Sequence, residues 1–112
     1  MHEYSLVLSL IHRVEQIARE RAAKAVMRVE VRVGELSGVE PDLLVAAYEI
    51  ARDGTLCNGA TLQVTKVAAR WECPKCSMAV DARESIQCGT CGAVARLVEG
   101  NEILFDRMEL DV

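Results

Sequence analysis

The sequence predicts an α+β protein: two helices packed on a small three-stranded sheet, with a four-cysteine module inserted before the last strand. Three observations carry that expectation. Apolar residues recur at spacings of three and four in two stretches, alternate with polar residues in three others, and four of the five cysteines crowd into one short segment.

The elements follow in order. From about Glu3 to Ala23, Val7, Leu10, Ile11, Val14, Ile17 and Ala18 fall on one helical face, while Ser5, Ser9, His12, Gln16 and Glu20 fall on the other. Val29, Val31 and Val33 then alternate with Arg28, Glu30 and Arg32, the period-two pattern of a half-buried strand, which Gly34 and Ser37-Gly38 break. Pro41 suits the first turn of a second helix because its missing N–H costs nothing there, and Asp42 favours the helix dipole. Leu43, Leu44, Ala47, Ile50 and Ala51 are its expected buried face, and Gly54 its stop. Leu62, Val64 and Val67 predict a second strand after the Asn58-Gly59 turn. Alternation of Leu104, Asp106, Met108, Leu110 and Val112 predicts a third over residues 103–112. The boundaries divide the chain into an α/β domain of residues 1–70 and 99–112 and a module of residues 71–98.

Composition limits the function classes. In 112 residues, 51% are hydrophobic and only 4% aromatic, so the core must be aliphatic. A net charge of -4 argues against a general phosphate-binding surface and hence against nucleic acid. No apolar run approaches the roughly 20 residues needed to span a bilayer. Glu3 stands where an export signal needs positive charge, so the expectation is a cytoplasmic protein with no membrane partner. In a reducing compartment, paired cysteines read as metal ligands or redox groups before disulfides.

Cys73-Pro74-Lys75-Cys76 and Cys88-Gly89-Thr90-Cys91 form two C-x2-C knuckles. Two intervening residues let both sulfurs turn toward one point while backbone N–H groups face the thiolates. Two knuckles supply a tetrahedron of sulfur, the geometry and ligand type that Zn²⁺ prefers, so the module reads as a zinc ribbon. Gly89 and Gly92 are expected to give the second knuckle its tight backbone. Four protein ligands close the coordination sphere, which makes the zinc structural, and the module has few large apolar groups with which to fold unaided. A pair of redox dithiols is the competing reading. Cys57 stands alone after the second helix and reads as a packing residue.

His2 and His12 lie about 15 Å apart along one helix, too far to share an ion. His12 reads as a solvated surface residue. At His2, the Met1 amine, the His2 backbone nitrogen and its imidazole can close fused five- and six-membered chelate rings, with Glu3 adding an oxygen. Such tetragonal nitrogen geometry suits Ni²⁺ or Cu²⁺. A terminal histidine is also an ordinary solvated residue, and the residues alone leave both readings open.

Met1-His2-Glu3 opening an amphipathic helix, Gly34-Glu35-Leu36-Ser37-Gly38-Val39-Glu40-Pro41 after the first strand, and the two knuckles after the second together resemble the HypA/HybF family of hydrogenase maturation factors. The resemblance runs in order across essentially the whole chain. It implies a nickel metallochaperone rather than an enzyme. Ni²⁺ would be cargo held by His2 with Met1 and Glu3, in the α/β domain; Zn²⁺ would be held by Cys73, Cys76, Cys88 and Cys91. It also implies a partner GTPase (HypB-like) and delivery to the large subunit of [NiFe]-hydrogenase, with urease as a further client. Some members add a histidine near the zinc module; none stands there in this chain, so no nickel ligand is expected from it. A homodimer through an exposed strand edge is a further expectation. The alternative from another class is a zinc ribbon that binds nucleic acid or a transcription partner, which a single Phe and the acidic balance disfavour. Glu35 and Glu40 read as solvated loop carboxylates.

Overall fold

The computed structural model describes residues 2–112, apart from the side chain of His2. Helix α1 (His2–Glu20) leads into strand β1 (Ala25–Gly34), helix α2 (Pro41–Ala51) and strand β2 (Thr61–Val67). Three short strands follow, β3 (Arg70–Glu72), β4 (Ala79–Val80) and β5 (Arg96–Glu99), and β6 (Ile103–Asp111) closes the chain. The strands form two sheets, ordered β2-β1-β6 and β4-β3-β5.

In the first sheet β1 is central. It pairs parallel with β2, Val29 opposite Leu62 and Val31 opposite Val64. Parallel neighbours need a crossover, and α2 supplies it. On its other side β1 pairs antiparallel with β6. The inward valines Val29, Val31 and Val33 meet Val7, Ile11 and Val14 of α1 and Leu44 and Tyr48 of α2 in one continuous core. The opposite face is polar. Arg28 and Arg107 both reach Glu30, and Arg32 pairs with Glu99.

Three details depart from the sequence pattern. Helix α1 stops at Glu20 rather than running to Ala23. Ala22 turns left-handed, with φ 54°, and the Ala23 N–H donates to the Ala18 carbonyl, so an alanine fills the place that usually goes to glycine. Leu43 and Ile50 are exposed, whereas Leu44, Ala47 and Tyr48 are buried. The Tyr48 hydroxyl donates to the buried Ala60 carbonyl at 3.0 Å, and this anchor turns the helix so that Leu43 and Ile50 face water. In β6 the register slips at Asp106. Met108 lies opposite Val29, but Phe105, not Asp106, lies opposite Val31. The bulge reverses which residues face inward, so Ile103 is half-buried and Leu104 is exposed.

The sheets meet where three chain segments cross. Gly34 N–H donates to Glu102, Glu35 N–H to Val67 and Leu36 N–H to Gly100, so the loop after β1 is wedged between both connections to the second sheet. A Cβ on Gly34 would stand 2.3 Å from the Gly100 oxygen. A Cβ on Gly100, itself at φ +99°, would stand 2.5 Å from Ala69 Cα. Only glycines permit that approach. The molecule is elongated, 55 × 28 × 16 Å, with a radius of gyration of 17.9 Å. A spherical chain of this length would have about 13 Å. Among the described residues no helix is long and apolar enough to cross a membrane.

Candidate functional site

The second sheet carries the cysteines. β3 runs directly into Cys73, β4 returns beside it, and a single bridge between Gln87 and Val94 closes the second knuckle. Both knuckles use the same hydrogen bonds. Cys73 N–H donates to Met78 and Ser77 N–H to Cys73. Cys88 N–H donates to Ala93 and Gly92 N–H to Cys88. A further N–H points at each leading sulfur, from Cys76 to Cys73 Sγ at 3.3 Å and from Thr90 to Cys88 Sγ at 3.4 Å.

The fourth residue after each leading cysteine is left-handed. It is Gly92 in the second knuckle, at φ 74°, and Ser77 in the first, at φ 57°. Gly89 is not left-handed. The expectation that both glycines shape the second knuckle therefore holds for Gly92 alone, and nothing in the residue type marked Ser77 as its counterpart.

All four sulfurs lie within 4.8 Å of one another, with Cys73 to Cys91 at 3.4 Å and Cys76 to Cys88 at 4.0 Å. A tetrahedral ion bonded to thiolates at about 2.3 Å sets its sulfurs about 3.8 Å apart, so the cage fits such an ion. Cys73 and Cys88 are buried, Cys76 is half-buried and Cys91 is exposed. The Cys91 and Thr90 N–H groups hold the Cys88 thiol down to about 6, and the Cys76 N–H lowers Cys73. Hydrogen bonding to the Cys91 and Cys73 sulfurs, together with the negative charge on Cys73, pushes Cys76 up to about 12. One sulfur of each knuckle is thus readied as thiolate by backbone dipoles, while mutual repulsion opposes ionising the rest. A divalent cation removes that repulsion.

The other singled-out residues separate cleanly. Met1 and the imidazole of His2 lie outside the described residues. Glu3 is half-buried in the first turn of α1, and His12 is exposed. Cys57 is fully buried, and burial pushes its thiol up. Glu40 is exposed at the start of α2. Glu35 is exposed but not idle, for its carboxylate accepts the Ala69 N–H at 2.8 Å and ties the loop after β1 to the entry of the second sheet. Sequence reasoning missed that role because the two partners are 34 residues apart.

Residues 1–110 match the family model described as hydrogenase/urease nickel incorporation, metallochaperone, HypA. The hydrogenase maturation factor HypA of Nitrosospira multiformis is 38% identical, the alignment covering 98% of this chain and 97% of that protein. That of Aquifex aeolicus is 35% identical over 100% of this chain and 99% of its own. The solution structure of the Ni metallochaperone HypA from Helicobacter pylori superposes with a TM-score of 0.72 at 32% identity, covering 97% of both chains. A second solution structure of a HypA protein reaches 0.80 at 32% identity, covering 98% of this chain and 96% of that one.

Proposed function

The chain belongs to the HypA family, and on that premise we propose that it carries Ni²⁺ at its amino terminus and delivers it to a hydrogenase large subunit or to urease, together with a maturation GTPase. The observation that carries the reading is a match over the whole length, including both the Met1-His2-Glu3 start and the sulfur cage. The role is delivery, not catalysis, and its setting is the cytoplasm.

The Met1 amine, the His2 amide nitrogen and imidazole and the Glu3 carboxylate form the nickel site. The first N–H groups of an α-helix have no intrahelical acceptor. Because α1 begins at His2, deprotonating an amide there sacrifices no helical hydrogen bond. All donors come from three consecutive residues at one chain end, so an acceptor's ligands can displace them one at a time. Imidazole protonation competes with the ion below about pH 6.5.

Cys73, Cys76, Cys88 and Cys91 hold Zn²⁺, which staples the 71–98 module as a unit distinct from the domain of residues 1–70 and 99–112. When bound, the zinc supplies a structural cross-link. The arginines of the polar sheet face are paired with carboxylates, Arg28 and Arg107 with Glu30 and Arg32 and Arg70 with Glu99, which leaves that face poorly suited to nucleic-acid phosphates.

The test is calorimetry with untagged, zinc-loaded protein. One nickel should bind per chain, His2→Ala should abolish it, and the zinc content should not change. An extension before Met1, which converts the amine to an amide, should also weaken it. Equal nickel affinity in wild type and His2→Ala would overturn the proposal.

A further inference from the structure

The seam between the two helices exposes four large apolar side chains: Tyr4 at 36%, Leu8 at 47%, Leu43 at 55% and Ile50 at 71%. They share one flank. Tyr4 and Leu8 precede Glu15 by near-whole numbers of helical turns, so all three form one row on α1. Glu15 accepts the Leu56 N–H at 3.1 Å, in the segment that follows α2, so the row faces the α2 side. On α2, Tyr48 and Arg52 both donate to the Ala60 carbonyl and mark the flank nearest β2. Leu43 and Ile50 lie about half a turn away from Tyr48, on the α1 side. The β1-α2-β2 crossover makes α1 and α2 run in the same direction, which sets Leu43 near Tyr4 and Leu8, and Ile50 further along the seam.

Charge decides what could lie there. Asp42 and Glu49 are exposed on α2 within about 120° of the Leu43–Ile50 row. Asp53 is exposed just beyond the helix, and α2 itself contains no Lys or Arg. One bank of the apolar seam is therefore uniformly acidic. We propose that this seam docks an amphipathic helix of a partner protein, with an apolar row seated between α1 and α2 and a basic flank along Asp42 and Glu49. An exposed apolar seam beside an acidic bank selects a helix with Leu-like anchors at three- and four-residue spacing and Lys or Arg alongside. Tyr4 is the residue next to Glu3, so one end of the docked helix would lie beside the first turn of α1. The docking itself does not depend on nickel being held there.

The probe is a synthetic 18-residue helical peptide with Leu at positions i, i+3, i+4 and i+7 and Lys along one flank, titrated into isotope-labelled, zinc-loaded protein. A second peptide carries Glu in place of Lys. The Lys peptide should shift the amide signals of Leu8, Leu43 and Ile50, and added salt should weaken it. Leu43→Ser with Ile50→Ser should reduce its affinity by about tenfold or more. Asp42→Lys with Glu49→Lys should do the same and should let the Glu peptide bind instead. Ile50→Gln alone, at the most exposed position, repeats the test should the double serine variant fail to fold. Unchanged affinity in the variants, or shifts confined to β6 or to residues 71–98, would overturn the proposal. So would a wild-type dimer by sedimentation that Ile50→Gln dissociates, since a second copy would then be the occupant.

Discussion

Cys57 and Tyr48 show how single residues are placed by burial rather than by chemistry. Tyr48 within α2 and Cys57 after it are both fully enclosed, and burial pushes both groups up, so each keeps its proton in the fold to a higher pH than in the unfolded chain. The unfolded state then releases its proton first. Their contribution to stability is whole below about pH 8.5, where an unfolded thiol begins to ionise, and is lost as pH rises through the folded value. Denaturant midpoints measured between pH 7 and pH 10 should fall, and Cys57→Ala should flatten that decline while lowering stability at pH 7 by about 1 kcal/mol. Ser77 is the second case. Its left-handed backbone costs an L-residue about 1 kcal/mol, so Ser77→Gly should raise the melting temperature slightly with metal content unchanged. The cysteines themselves were legible in the sequence because ligand spacing is a local property. Ser77 was not, because serine is no marker of a left-handed turn.

The elements followed from periodicity, but their ends and faces did not. The α1 stripe and the β1 alternation appear as the spacing implies. The end of α1 was hidden because Ala22 takes the capping conformation without being glycine. The face of α2 was hidden because apolar side chains lie all around it and the Tyr48–Ala60 hydrogen bond chooses among them. In β6 one bulge reverses the alternation, and nothing in the residues around Asp106 announces it. The glycine crossing belongs to this scale as well. Gly34→Ala would drive a methyl against the backbone of Gly100, which no side-chain rotation can relieve. A loss of about 2 kcal/mol or more is expected in urea unfolding, and Gly100→Ala should cost as much through Ala69.

Across the whole molecule the two sheets are stabilised by different means. The core under the first sheet draws on α1, β1, α2, β2 and β6 and includes no residue from 68 to 102. Between 71 and 98 the buried hydrophobic residues are Cys73, Cys88 and Ala95. A strong chelator should therefore collapse the amide spectrum of residues 71–98 while leaving signals such as Val29 and Leu44 dispersed, with return on adding zinc. A loss of both sets together would show that the metal holds the whole chain.

The sequence by itself determined the order and type of the main elements, the sulfur cage and the family, because each of these is written in spacings of a few residues. Tertiary structure alone decided that β1 is the central strand, that Leu43 and Ile50 face water and that Glu35 reaches Ala69. It also decided that two glycines let the sheets cross. Each depends on which distant segment arrives as a neighbour, and burial is a property of that meeting rather than of either segment.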